Sequence, residues 1–136
     1  MLTILEKVDV LQNAEIFRDV RTQSLARVAG VAQETGFKAL QRLYSENEAA
    51  DSLYVLLEGE VTLTRAGSEE RKRTRFQVAG ALALLADRPR TETATAAQAV
   101  RTLQIRQQDL FDVMAEDFNI TRGILRALAT LATAPD

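Results

Sequence analysis

The chain has 136 residues, 46% of them apolar and 26% charged, which is enough to bury one sizeable core and is ordinary for a globular domain. Seventeen Lys and Arg against nineteen Asp and Glu leave a net charge of −2, so no strong overall field draws the chain to nucleic acid or to a membrane surface. Cysteine and histidine are both absent, which removes disulfides, thiol nucleophiles, the usual transition-metal ligands and the commonest general base, and with them most hydrolase and zinc chemistry. No signal peptide and no apolar run near the roughly eighteen residues of a membrane span are present, so the expectation is a cytoplasmic protein that is not an enzyme.

From the N-terminus, Leu2, Leu5, Val8 and Leu11 recur at a three-residue step that suits a short amphipathic helix. Ile16-Phe17 is an apolar pair after a polar break. Thr22 reads as the cap of a second helix over Gln23 to Ala32, with Leu25, Val28 and Val31 as its buried stripe. From Glu34 to Ile105 short segments are bounded by turn residues, Gly36, Asn47, Gly59, Gly67 and Gly80, which is a strand pattern. Tyr54-Val55-Leu56-Leu57 and Val61-Thr62-Leu63-Thr64 flank Glu58-Gly59-Glu60 and read as a bent or tightly connected strand pair. Asn47 is the side chain that best tolerates a left-handed turn after glycine.

Ser68 to Arg75 is the one charge run. Without interleaved aromatic residues for bases to stack on, and with Glu69 and Glu70 neutralising part of it, it reads as a solvated hairpin tip rather than a nucleic-acid patch. Thr93 to Ala97 and Val100 to Ile105 are the last strands, with small residues toward a crowded interior. Asp109 to Met114 then reads as a helix, Asp117-Phe118-Asn119 as a break, and Ile120 to Ala132 as a final helix with Ile120, Ile124, Ala127, Leu128 and Leu131 on one stripe. That stripe packs either on the chain's own body or against a second copy.

Between the strands lies Gly80-Ala81-Leu82-Ala83-Leu84-Leu85-Ala86-Asp87-Arg88-Pro89-Arg90. Gly80 lets the backbone turn, Ala81 to Leu85 form one short helical turn, and Asp87-Arg88-Pro89 breaks it. A glycine turn into a helix start offers free N–H groups to an anion, and a nearby guanidinium can hold phosphate in a fork.

This stretch resembles the phosphate-binding cassette of cyclic nucleotide-binding domains: Gly-x-Leu-Ala-Leu followed by Pro-Arg at the family's spacing. Ala50-Asp51-Ser52-Leu53-Tyr54-Val55-Leu56-Leu57-Glu58-Gly59-Glu60-Val61 resembles a second block of the same family, and the resemblance runs from about Ile4 to Leu131. It implies a mainly β fold, a jelly-roll β-barrel with flanking N-terminal and C-terminal α-helices. It also implies one domain over 1–136, with N-terminal helices over 1–32, the barrel over 33–106 with its cassette at 80–90, and C-terminal helices over 107–136.

It further implies a ligand, cyclic AMP or cyclic GMP, at Gly80, Ala81, Leu82, Ala83, Arg90, Thr91 and Thr93. Arg90 would pair with the cyclic phosphate, the N–H groups of Ala83 and Thr91 would add donors, Leu82 and Leu84 would line or support the pocket, and the base would sit near Thr93 and the C-terminal helix. The chain departs from the family at two positions. Ala81 stands where the family has a Glu that binds the ribose hydroxyl, and Glu92 stands where it has a small residue. Two residues beyond Arg90 on a regular strand, Glu92 shares its face and is expected to pair with it or to put a negative charge beside the phosphate site.

The expected function is a regulatory sensor that couples ligand in the barrel to the C-terminal helix, to a homodimer through that helix, or to an effector outside this chain. The alternative is an interaction or dimerisation domain that keeps the barrel without the ligand. A DNA-reading helix and a basic face are missing, so the chain itself is not expected to bind DNA. Only Thr-Ala-Pro-Asp follows Ala132, so the chain is expected to be a fragment of a longer polypeptide or to act through a partner.

Overall fold

In a computed structural model, which describes residues 1–133, eight strands form two four-stranded antiparallel sheets with helices at both ends. Ala134, Pro135 and Asp136, the end of the expected C-terminal helical segment, lie outside the described residues. The strands are β1 (Gln33–Phe37), β2 (Arg42–Tyr44), β3 (Ser52–Glu58), β4 (Val61–Thr64), β5 (Arg71–Arg73), β6 (Val78–Ala79), β7 (Thr93–Ala96) and β8 (Val100–Arg106). One sheet runs β1-β8-β3-β6 and the other β2-β7-β4-β5. The jelly roll is thus a sandwich of two sheets and not a closed hydrogen-bonded ring.

β3 and β4 are adjacent in sequence but not paired: β3 lies between β8 and β6, whereas β4 lies between β7 and β5. Gly59 makes the change of sheet. Its φ is +96°, and a Cβ there would sit 2.5 Å from the Ala99 carbonyl oxygen, so only glycine fits the crossing. β3 is buried on both faces, which accounts for its unbroken apolar run. Leu53 and Val55 pack on the helices with Leu103 and Ile105 of β8, whereas Tyr54 and Leu56 face the other sheet. Within the second sheet, small residues stand beside large ones: Ala96 is opposite Val61 and Ala94 opposite Leu63 on the paired strands β7 and β4. The buried Thr102 hydroxyl is satisfied by that of Thr35 at 2.6 Å.

The helices are α1 (Ile4–Gln12), α2 (Thr22–Val31), the short α3 (Ala81–Ala86), α4 (Gln107–Glu116) and α5 (Phe118–Thr133). α1 begins at a complete capping box of Thr3 and Glu6. It buries Val8, Val10 and Leu11 but leaves Leu5 81% exposed, so the three-residue step overstates its buried face. Thr22 is the first residue of α2 and not its cap. The capping position is Arg21, and the Thr22 hydroxyl instead accepts a hydrogen bond from Gln12 Nε2 at 2.5 Å. Ile16 and Phe17 form a buried 3₁₀ turn that meets α5. No helix among the described residues is long and apolar enough to cross a membrane.

α5 divides the expected stripe. Ile120, Ile124 and Ala127 are buried in the chain's own core, while Leu131 is 45% exposed. Gly123 allows that contact, because a Cβ there would meet the Val20 backbone N and Cα at 2.9 Å. Gly123→Ala gains roughly 1 kcal/mol of helix propensity, but the overpacking against an unyielding backbone costs about 1–3 kcal/mol. Urea unfolding is therefore expected to show a net loss of stability; a gain would mean that α5 is not seated on Val20.

Candidate functional site

The site is built around Arg90, which is 2% exposed although it carries a charge. Its Nη1 donates to the Gly80 carbonyl at 2.7 Å and its Nη2 to the Ser52 carbonyl, while its Nε–H has no partner. The guanidinium carbon stacks 3.9 Å from the centroid of the Tyr44 ring. Among the described residues Arg90 makes no ion pair. Burial pulls its pKa down from the ordinary arginine value, an effect opposed by the nearby Tyr44, Tyr54, Asp51 and Glu48. The same burial pushes the Tyr44 phenol up to about 12, and its hydroxyl is an unpartnered buried group.

Local sequence fixes this arrangement. β6 ends at Ala79, Gly80 takes φ +87°, and α3 begins at once. A Cβ on Gly80 would lie 2.4 Å from Arg90 Nη1, so the glycine makes the room that the guanidinium occupies. Gly80 also has no side chain to cap α3, which leaves the first-turn N–H groups without intrahelical acceptors. α3 closes with Asp87 in the left-handed region, and Pro89 pairs with Ala49. Arg90 then bonds through its backbone N–H to the Glu48 carbonyl and through its carbonyl to the Asn47 N–H, each at 2.8 Å. Asn47 does adopt the left-handed backbone expected of it, with φ 73°.

Arg90 opens onto a cavity of about 680 Å³, within the size range of small-molecule sites. The cassette, the β4–β5 end of the second sheet, the 3₁₀ turn and Leu131 of α5 all contribute to its wall. Of the sequence-expected residues, Gly80, Ala81, Leu82, Ala83, Arg90 and Thr91 line it together. Thr93 does not. Its hydroxyl oxygen accepts the Glu46 N–H at 2.9 Å, which turns it into a loop anchor. Leu84 is wholly buried in the core, whereas Leu82 is 62% exposed at the cavity.

Glu92 lines the cavity but pairs with Arg71 of β5, not with Arg90. Arg90 is already engaged by two carbonyls, and the β5 arginine reaches the carboxylate first.

The charge run does form an exposed hairpin tip between β4 and β5, but its arginines also reach the cavity. Arg71, Arg73 and Arg75 all line the cavity, as do Arg65 and Arg18, against the two acids Glu15 and Glu92. For Arg71 and Arg73 the signal was their two-residue step, which places alternate residues of a strand on one face, whereas Arg75 lies in the turn after β5. Tyr44 and Ser52, the ring and the carbonyl that hold Arg90, carry no signal of their own in the sequence.

Residues 34–117, more than half of the chain, match the profile of the cyclic nucleotide-binding domain. The chain belongs to the cyclic nucleotide-binding domain family. A CRP-like cAMP-activated global transcriptional regulator of Mycobacterium tuberculosis is 26% identical over 126 residues, or 89% of this chain and 56% of that protein. The chain therefore spans little more than half the length of the curated relatives it matches. Among solved structures, the N-terminal domain of a transcriptional regulator from Streptomyces coelicolor superposes with a TM-score of 0.80 at 27% identity, over 91% of this chain and 92% of that one. The regulatory domain of Toxoplasma gondii PKA, solved with cAMP, shares the fold with a TM-score of 0.78 at 17% identity, over 95% of this chain and 49% of that one. Within this family fold, an uncompensated buried guanidinium at the cassette fits an anionic ligand, whereas Ala81 supplies no acceptor for a ribose hydroxyl.

The Tyr44 hydroxyl is buried without a partner, so Tyr44→Phe keeps the ring under Arg90 and is expected to raise stability by about 1 kcal/mol. The folded phenol holds its proton up to about 12 against an ordinary 10.0, so its contribution is intact below pH 10 and is lost as pH rises through that interval. Chemical unfolding of the phenylalanine variant should lack that alkaline loss; identical alkaline profiles would show that the phenol is not buried.

Proposed function

We propose that this domain is a regulatory sensor for a cyclic nucleotide, with the phosphate held by Arg90 and by N–H groups at the start of α3. The observation that carries this reading is Arg90 itself, a buried guanidinium tethered by two carbonyls at the edge of a cavity and paired with no carboxylate among the described residues. An isolated buried charge is costly, and a phosphate provides the counter-charge in a geometry that suits a guanidinium. The pairing of Glu92 with Arg71 supports the reading, because it offsets the one negative charge of the cassette strand.

The proposed output runs through the helices. Gln107, the first residue of α4, donates to the Leu84 carbonyl at 3.0 Å and to the Asp87 carboxylate at 3.1 Å, which ties the C-terminal end of α3 to α4. Leu131 brings α5 to the cavity wall. Ligand would shift the chain only so far as it binds one arrangement of these helices more tightly than another. The outer face of α5 supports a homodimer as the recipient: Phe118, Leu125, Ala129 and Ala132 are exposed at coiled-coil spacing. Leu125→Arg should then lower the sedimenting mass at micromolar concentration; a mass that is already monomeric in the unmodified chain excludes the dimer.

A second reading, a relative that has lost its ligand, is favoured by Ala81 alone. A charge-assisted bond to the ribose contributes roughly 1.5–3 kcal/mol, or about one to two decades of dissociation constant. Calorimetric titration with cyclic AMP and cyclic GMP decides between the two. The sensor reading expects measurable binding that disappears in Arg90→Ala and tightens by one to two decades in Ala81→Glu. Absence of heat and of thermal shift at millimolar ligand, in a chain shown to carry no ligand from expression, overturns it.

A further inference from the structure

Arg90 is not the only guanidinium of the cavity held by backbone carbonyls. Arg73 of β5 donates through Nε to the Val78 carbonyl at 3.2 Å and through Nη1 to the Lys72 carbonyl at 3.1 Å. It is half-buried, and like Arg90 it makes no ion pair among the described residues. The neighbouring arginines of the hairpin differ. Arg71 is neutralised by Glu92, and Arg65 is turned to the Ser68 hydroxyl, in a recess shared with Glu69 and Glu70. Arg75 lies 4.6 Å from the Phe76 ring centroid and adds a further positive charge to the same wall. Arg73, Arg90 and the Tyr44 ring all line this one cavity, and the phenol lies in the fields of both guanidiniums. A guanidinium positioned by carbonyls keeps its full charge and free N–H groups for an anion.

We propose that Arg73 is a second anion-binding station in the cavity, so that the ligand is a nucleotide carrying two phosphate groups, one on Arg90 and one on Arg73. This rests on the reading of the cavity as a nucleotide site. It also gives Ala81 a rationale: a ligand held at two phosphates does not depend on a carboxylate for its ribose. A nucleoside 3′,5′-bisphosphate and a cyclic dinucleotide share this chemistry, and titrating each identifies which spacing of phosphates the cavity takes.

The test compares adenosine 3′,5′-bisphosphate and cyclic diadenylate with cyclic AMP by calorimetry on the full chain. At least one of the two-phosphate ligands is expected to bind about tenfold or more tighter than cyclic AMP, a ratio that shrinks to about threefold or less in Arg73→Gln. The ratio should also fall in the unmodified chain as ionic strength rises from about 0.05 M to about 0.5 M, a check that needs no variant. Equal or tighter binding of cyclic AMP overturns the second station and leaves the cyclic nucleotide reading standing. So does an advantage that survives high salt, or that survives Arg73→Gln with circular dichroism and melting unchanged. No binding of any of the three overturns both.

Discussion

A guanidinium sunk into the protein with no carboxylate to meet it is the constraint on which the rest of this structure turns. Water would solvate the charge far better than two carbonyls and an aromatic face do, so Arg90 stays buried only because the fold surrounds it on every side but the cavity. That enclosure dictates residues from distant segments. Gly80 must lack a side chain, Ser52 must present its carbonyl from the start of β3, and Tyr44 must lay its ring beneath the group. Asn47 and Glu48 hold the backbone on the far side. The pair of sheets exists at this end of the molecule largely to bring these segments within reach of one side chain.

The same residues connect the cavity to the helices. β3 is buried on both faces, so any displacement of the Ser52 carbonyl acts on a strand that packs against the inter-sheet core on one side and against the helical layer on the other. Close packing of that kind transmits small shifts rather than absorbing them. The cassette is joined to α4 by the Gln107 hydrogen bonds and by Leu84, which shares one apolar cluster with Leu110 and Val113, and α5 reaches the cavity through Leu131 while its inner face is fixed by Gly123 against Val20.

Much of this was legible in the sequence, and the reasons for the rest are physical. Local chemistry announced the cassette: Gly80, a run of helix formers and Pro89 can do little else than turn, coil once and stop. Turn residues marked the strands, and the apolar stripe marked α5. Pairing was not legible. A two-residue step says which face a side chain takes but not which strand lies alongside, so β3 and β4 looked like partners when Gly59 sends them to different sheets. Of the two expectations for Glu92, the pairing with Arg90 failed for the same reason, while its place beside the site stands. The register of β5 beside β4 brings Arg71 to that carboxylate, and nothing short of the sheet reveals it. That the arginines of this exposed hairpin also wall the cavity was not legible, because a hairpin tip and a cavity wall have the same composition. The carbonyls that hold Arg90 and Arg73 belong to the backbone and leave no trace in residue identity.

The two departures from the family pattern bear on one another once the charges are located. Loss of a ribose acceptor at Ala81 removes roughly 1.5–3 kcal/mol from the binding of a cyclic mononucleotide. A phosphate contact at a preorganised guanidinium restores an amount of the same order, because both are charge-assisted hydrogen bonds. On the proposed two-phosphate reading, a cavity altered in both respects would not simply be weaker but would discriminate differently, disfavouring ligands that rely on the sugar and favouring those that offer more negative charge. Glu92 fits that direction. Placed beside Arg90 it would repel every phosphate, but bound to Arg71 it holds the end of β5 against the cassette strand, and Arg73, two residues along, is carried with it.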